Sequence, residues 1–332
     1  MTKFDIFYKN NKLRVCCDEY IEKMVKEHLV GHINICDPIG EFTYKLVIGD
    51  NLKFVNGMHY KMVDKWFENA TLDCYIDNYN RTCYVTNFIF KKNIYKELLI
   101  KYFTANLFNR LLELDMYLGV HSSCVEKDNS GILFVAERLN GKTICMLNLM
   151  NEGYNIVSND VTALKKCRDE LIAYGIAQDV SIRLSKEFCS QKENKKYIDY
   201  AKSMGVEFND NEIIDAKNFH ISECELAALN NVRQTMCVPI KAIVRPCYNP
   251  YINHLEFYEM SKTQQRELIY SQYRSLVHET TDFLNYIKLD GIDEKIRYSK
   301  FENIIDIPAY YCHQNEKTTQ EFVKQIEKIR CS

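Results

Sequence analysis

The sequence predicts an α/β fold with a central mixed sheet and a phosphate-binding loop at the carboxyl end of one strand, preceded by a small N-terminal α+β domain. Three observations lead there. The apolar run 131–136 (GILFVA) is followed by Gly141-Lys142-Thr143, and a second apolar run, TICMLNLM, starts at that threonine. Strand, loop and helix in that order, closed by a strand over Tyr154–Val157, is the setting a P-loop requires. Ahead of it, 41–91 holds short β-like runs, and 92–116 has apolar residues at three- and four-residue steps with neither proline nor glycine, which predicts a long buried helix. A chain of 332 residues accommodates two units. The boundary is expected just before that helix, with 1–91 as the small α+β domain and 92–332 as the loop-bearing domain.

Taken in order, Lys3–Tyr8 and Lys12–Cys17 alternate apolar and polar residues about Asn10-Asn11 and predict a hairpin, and 19–30 repeats at helical spacing. The runs 42–48 (FTYKLVI), 52–55 (LKFV), 71–77 (TLDCYID) and 82–90 (TCYVTNFIF) read as strands, the last two joined by a turn at Asn78–Asn80. After the long helix, 117–126 and 131–137 read as strand, turn, strand, and Lys142–Met150 is the helix that follows the loop. Beyond it come a helical stretch at 195–204, strands at Val238–Val244 and His254–Met260, and a helix from Lys262 to about Ile287. A strand within 305–314 and a helix over 318–329 complete the chain. The charged run Lys192–Lys196 is expected to be a solvated face.

Composition excludes several classes. Hydrophobic residues at 46% and charged residues at 27% are the balance of a globular protein with a real core. Lysine plus arginine is 43 against 45 for aspartate plus glutamate, a net charge of -2, which supplies no global field for nucleic acid or anionic lipid. The aromatic residues interleave no basic run, which counts against a nucleic-acid groove. No stretch approaches the roughly 18 apolar residues of a membrane span, and the polar first dozen residues lack the apolar core of a secretory signal. The 14 cysteines are scattered without a C-x-x-C and only Cys16 and Cys17 are adjacent, so they read as reduced thiols. A cytoplasmic location is expected, with neither nucleic acid nor membrane as partner and homo-oligomerisation left open.

A full P-loop reads G-x-x-x-x-G-K-[ST], because successive backbone N–H groups must curl round a phosphate while the lysine and hydroxyl reach the terminal phosphates and magnesium. Here the window is Ala136-Glu137-Arg138-Leu139-Asn140-Gly141-Lys142-Thr143. Its second half is intact. Alanine stands at the first glycine, and bulky or charged side chains occupy positions that many such loops keep small. The N-terminal N–H groups and macrodipole of the following helix would favour an anion at Gly141–Thr143. Arg138 has two readings: a cation added to the phosphates, or a side chain that fills the site and excludes nucleotide. The bland alternative for the whole motif is an ordinary strand-to-helix turn, with glycine for geometry and a surface lysine.

The wider spacing resembles the HPr kinase/phosphorylase family. His121-Ser122-Ser123-Cys124-Val125, then GILFVAERLNGKT, then ICMLNLMNEGYNIV, then Ser158-Asn159-Asp160 follow in register without a gap. The similarity is clearest over Gly119–Leu164. Cys237–Ile243 and Ile307–Tyr310 resemble the C-terminal half of HPr-kinase-like proteins linked to modified-peptide biosynthesis. The resemblance implies an HPr kinase / PEP carboxykinase-type P-loop kinase fold that uses ATP and Mg2+. It places Lys142 on the β- and γ-phosphates and Thr143 on magnesium; Asn140, Gly141 and Arg138 are the loop residues expected beside the nucleotide. Asp160 matches the second of the family's paired aspartates, a metal-side carboxylate, and His121 matches the histidine beside the site. The first aspartate, the family's base, corresponds to Asn159, whose amide cannot accept a proton, so Asp160 or His121 would take that role. On its own, His121 reads equally well as a satisfied core histidine at a strand end.

Other candidates read more plainly. Cys145 belongs to the apolar helix and is expected in the core. Cys312-His313 fits neither a zinc site nor a nucleophile pair with a third supporting group. Arg245 and Arg274 suit acidic ligands, although arginines at strand and helix ends are more often ion-paired or on the surface. Two functional classes stay open. One is an ATP-dependent kinase acting on a serine or threonine hydroxyl of a peptide or small protein. The other is a catalytically inactive kinase-like adaptor that binds a peptide or partner enzyme, favoured by Asn159 and by the 136–139 segment.

Overall fold

The computed structural model describes residues 1–29, 33–50, 52, 57–65, 68–176, 178–206, 217–289 and 307–331. The chain divides into two compact units, Met1–Leu118 with Ser275–Ser299, and Gly119–Arg274 with Lys300–Ser332. Among the described residues no helix is long and apolar enough to cross a membrane.

The first unit opens with the hairpin β1 (Thr2–Tyr8) and β2 (Asn11–Cys17), followed by α1 (Glu19–Leu29), β3 (Asn34–Cys36), β4 (Tyr44–Ile48), β5 (Met58–Asp64), β6 (Ala70–Asp77), β7 (Thr82–Ile89) and α2 (Asn93–Leu114). The strands form a seven-stranded sheet in the order β3-β1-β2-β4-β7-β6-β5, parallel at β2/β4 and β4/β7 and antiparallel elsewhere. α1 buries Ile21, Met24, Val25 and Leu29, the three- and four-residue steps of a helix that covers a sheet on one face. Two strands, β3 and β5, were not legible in the sequence, and most of the run 52–55 lies outside the described residues.

α2 is buried from Leu99 to Leu114 except for two positions, and it carries an ion pair, Arg110 to Glu113 at 3.1 Å, with both side chains only 1% exposed. The remaining donors and acceptors of that pair fix the returning segment. Arg110 donates to the carbonyls of Asn285 and Ile287. Glu113 accepts from Ser275 Oγ and from the Leu276 amide, both at 2.8 Å, and Asn106 accepts from the His278 amide. This explains a departure from expectation. The helix predicted from Lys262 to Ile287 stops at Ser271: Tyr273 and Arg274 pair as a strand with Val120 and Gly119, and the Leu276 N–H and C=O and the His278 N–H are satisfied by α2 side chains instead of by a continuing helix. A 3-10 segment, Glu279–Tyr286, follows. α2 also packs on α1, β2 and β6, which places it in the first unit, so the division falls after Leu118 and not at residue 91.

The second unit contains β8 (Leu118–Lys127), β9 (Ser130–Val135), α3 (Lys142–Asn151), β10 (Asn155–Ser158), β11 (Val161–Cys167), β12 (Glu170–Gly175), β13 (Asp179–Leu184), α4 (Lys186–Ser190), α5 (Lys195–Ser203), β14 (Lys217–Ser222), α6 (Glu223–Leu229), β15 (Cys237–Tyr248), β16 (Glu256–Glu259), α7 (Lys262–Ser271), β17 (Tyr273–Arg274), β18 (Ala309–Gln314) and α8 (Thr319–Cys331). Nine of these strands form a mixed sheet. β15 runs parallel to β9 on one side and to β18 on the other, so the carboxyl ends of these three strands share one edge, where α/β sheets place their ligand sites. β13 and β14 form a separate ribbon. α3 buries Cys145, Met146, Leu147, Leu149 and Met150 together with the polar Asn148, as befits a helix largely enclosed within a core. Cys145 is therefore a core residue, as its sequence setting indicates. The run 192–196 is less solvated than expected: Asn194 is buried, and Lys196 Nζ donates to Asn151 Oδ1 and Asn230 Oδ1.

Candidate functional site

The site grows from the junction of β9 and α3. β9 ends at Val135, the loop 136–141 follows, and α3 begins at Lys142 with Gly141 as its N-cap. Gly141 has φ +88°, and a β-carbon there would lie 3.4 Å from Nε2 of Gln314. Glycine is favoured here by the left-handed backbone, while the Gln314 side chain would meet a β-carbon only at ordinary contact distance. No side chain caps the helix, which leaves the positive end of α3 directed at the loop.

Lys142 folds back onto this loop. The residue is 8% exposed, and its ammonium donates to the carbonyls of Ala136 at 2.8 Å and Glu137 at 3.0 Å, with His121 Nε2 at 2.9 Å. Three protons meet three acceptors. His121 Nε2 must then be the lone-pair nitrogen, which assigns the ring proton to Nδ1. Nδ1 lies 3.0 Å from the Asp160 carbonyl and 3.2 Å from Asp160 Oδ1. Burial pushes the Lys142 ammonium down to a pKa of about 8; the nearby Arg274 charge acts the same way, while Asp160 and Glu137 oppose it. The hydrogen bond from His121 holds the Asp160 carboxyl below the usual aspartate range, helped by the charges of Lys142 and Arg138 against the effect of burial.

The second strand of the site, β10, delivers Asn159 and Asp160. Thr143 Oγ1 donates to Asn159 Oδ1 at 3.3 Å. The Asp160 backbone has φ +67°, and the Val161 amide donates to the Asn159 carbonyl at 2.8 Å, which together form a positive-φ γ-turn, a rare and strained arrangement. The Ser122 amide donates to the Asp160 carbonyl at 3.1 Å. Behind the turn, Ser122 Oγ donates to Thr162 Oγ1 at 2.8 Å, and Ser158 Oγ lies 2.5 Å from that same oxygen.

Hydrogen bonds therefore link His121, Lys142 and Asp160 in one chain and Thr143 and Asn159 in another, with Asn159 and Asp160 adjacent in sequence. Asn140 and Arg138 are placed differently. Asn140 donates its amide to Glu137 Oε2, and Arg138 is exposed yet close enough for its charge to bear on Asp160. His121 sits inside β8, three residues from its start, and not at a strand end, because β8 begins at Leu118. Arg245 pairs with Glu137 at 2.8 Å and stacks its guanidinium 5.6 Å from the Tyr311 ring centroid, so this arginine reaches the loop itself. Cys312 is buried and His313 pairs with Glu256, leaving both with structural partners.

Three further residues were not legible in the sequence. Glu223, 1% exposed, accepts from the Asn159 amide at 2.9 Å and from Gln234 Nε2 at 3.1 Å. Gln314 underlies Gly141 and donates to Cys145 Sγ. Glu137 has its carboxylate held by Arg245 and Asn140. Glu223 follows the N-cap Ser222, and the capping box of Ser222 and Glu225 signals a helix start there, but nothing local marks Glu223 itself as facing the site.

No family model matches the chain, and no curated protein matches it. Among solved structures, it is similar to the Hpr(Ser) kinase/phosphatase from Coxiella burnetii, at 13% identity and a TM-score of 0.29, over 64% of this chain and 92% of that one. A likeness this distant assigns neither a family nor an activity to the chain.

The residues present suit a phosphate and a hard cation. Helix N–H groups, the Lys142 ammonium and the exposed Arg138 offer positive charge to an anion. Thr143 Oγ1 and the Asp160 carboxylate, 58% exposed, are the oxygen donors that magnesium takes. Among the described residues no group of three His, Cys, Asp or Glu side chains is assembled around a metal position. Magnesium bound through one or two protein oxygens, water and phosphate requires none.

Proposed function

We propose that the chain is an ATP-dependent phosphotransferase that phosphorylates a serine or threonine hydroxyl of a peptide or small protein. The observation that carries this reading is the convergence of Lys142 and Thr143, at the uncapped start of α3, on His121 from β8 and on Asn159 and Asp160 from the turn between β10 and β11. Lys142 would hold the β- and γ-phosphates, with Asn140, Gly141 and Arg138 alongside. Thr143 and Asp160 would hold Mg2+, which supplies charge neutralisation across the phosphates when bound.

In the transfer, the acceptor oxygen forms a bond to the γ-phosphorus as the β,γ-bridging P–O bond breaks, and the electron pair of that bond leaves with ADP. The acceptor proton passes to Asp160, the exposed carboxylate of the pair, because the Asn159 amide has no basic lone pair to receive it. His121, bridging Asp160 and Lys142, keeps the carboxylate oriented. The first unit is proposed to recognise the substrate or a partner.

A second reading is supported by a specific observation. All three Lys142 protons are already engaged by Ala136, Glu137 and His121, so phosphate must displace contacts the loop makes with itself. If that exchange is unfavourable, the chain is a kinase-like adaptor. Titration with Mg2+ and ATP separates the two. The kinase reading expects binding at or below millimolar nucleotide that is lost in Lys142→Ala; no binding by the wild type, or equal binding by that variant, overturns it.

A further inference from the structure

We infer that Glu223 is a positioning residue of this site: its buried carboxyl grips the Asn159 amide and so maintains the strained turn that directs Asp160 at His121. For its effect on phosphoryl transfer the inference rests on the function proposed above; for its effect on the turn it stands on the geometry alone.

A non-glycine residue at φ +67° is retained only where its surroundings over-determine it. The ties on this turn can be followed one by one. The Val161 amide closes the turn on the Asn159 carbonyl, and the Asp160 carbonyl accepts from the Ser122 amide and from His121. Thr143 Oγ1 donates to the Asn159 side chain. Those bonds come from the turn itself, from β8 and from α3. Glu223 supplies a bond from a separate element, α6, reaching 64 positions back along the chain to the Asn159 N–H. The other oxygen of the same carboxyl is held by Gln234 Nε2 at 3.1 Å, so the acceptor cannot swing away. Burial drives the Glu223 pKa well up from the ordinary glutamate range, which favours the neutral acid. A neutral acid accepts the amide bond without setting a second negative charge behind Asp160. A side chain that is costly to bury is thus kept where it touches the backbone of the residue next to Asp160.

The test uses Glu223→Met, Glu223→Gln and Glu223→Asp in the full chain, read by amide exchange and by hydrolysis of Mg-ATP with water as acceptor. Methionine fills the volume without an acceptor. In Glu223→Met, exchange at Asn159–Val161 should accelerate by about tenfold or more while β9 and α3 are unchanged. The same variant should lose about tenfold or more in kcat with the KM for ATP within about threefold, because orientation and not ground-state binding is lost. Glu223→Gln should restore both to within about threefold, since its amide oxygen can accept from Asn159 while the Gln234 amide reverses. If the methionine variant does not fold, Glu223→Asp decides: it keeps the acid but withdraws the acceptor by about one C–C bond length, and should loosen the turn likewise.

Unchanged exchange at Asn159–Val161 in the folded variants overturns the inference. So does a glutamine variant as impaired as the methionine one. A wild-type protein that neither binds nor hydrolyses ATP sinks the proposed function instead, and the exchange measurements then decide the role of Glu223 by themselves.

Discussion

Lys142 Nζ lies 2.9 Å from His121 Nε2, and this contact makes the imidazole a bridge between a buried ammonium and the carboxylate of Asp160. The bridge ties the Lys142 ammonium, at the start of α3, to the turn that carries Asp160.

The first consequence concerns pH. The folded-state pKa of Lys142, about 8, lies below the ordinary value of 10.5, so between these values the unfolded chain binds the proton and the folded chain does not. Stability should therefore rise with pH from about 8 to about 10.5 and be insensitive to this group below pH 7. ATP affinity should move the opposite way, since only the ammonium attracts phosphate, and should weaken about tenfold between pH 7 and pH 9. Urea unfolding and nucleotide titration across that range check both slopes. Lys142→Met should flatten the stability slope and abolish the binding.

Asn159 offers a test of the proposed base position. Asn159→Asp is nearly isosteric and leaves the Thr143 hydroxyl with an acceptor. If Asp160 serves poorly in place of the lost base, the substitution should raise phosphate incorporation into a candidate peptide, by up to about 100-fold on the scale of general-base effects. Activity unchanged or lowered in the aspartate variant would show that this position is not a lost base.

Glu137 places a carboxylate on the loop beside Lys142. Its ion pair with Arg245 is half-exposed and worth at most about 1 kcal/mol, so Glu137→Gln should leave stability nearly unchanged. Removing the charge should tighten ATP binding by about two- to fivefold at low salt, with the gain shrinking as salt screens it. Calorimetric titration at about 20 mM and about 500 mM salt, between which the Debye length falls from roughly 20 Å to roughly 4 Å, distinguishes this from a steric effect, which salt does not move.

In the first unit, Arg110 and Glu113 are buried together and hold the 275–287 segment. Glu113→Leu leaves the guanidinium without its carboxylate and the Leu276 amide without its acceptor, and should destabilise the protein by about 3–5 kcal/mol. Chemical denaturation measures it. A loss under about 1 kcal/mol would mean that the pair does not anchor that segment.

The strand, loop and helix of the site were legible because each is a local pattern: an apolar run ending at Val135, a glycine able to take φ +88°, and an apolar helix behind Thr143. The register of His121, Lys142, Thr143, Asn159 and Asp160 was legible too, and hydrogen bonds bring the five into two short chains. Where local pattern was the only guide it also misled. Nothing between Lys262 and Ile287 contains proline or glycine, yet the helix ends at Ser271: Tyr273–Arg274 pairs with β8, and Glu113, Asn109 and Asn106, more than 160 residues earlier in the chain, satisfy the Leu276 N–H and C=O and the His278 N–H.

By itself, then, the sequence determined which segments become strand, loop and helix around Gly141, because periodicity and backbone preference act between near neighbours. The tertiary structure decided how Lys142 spends its three protons, which tautomer His121 adopts, and that Glu223 from a distant helix grips the Asn159 amide. These depend on which donors and acceptors share a desolvated volume, and only the folded chain brings those residues together.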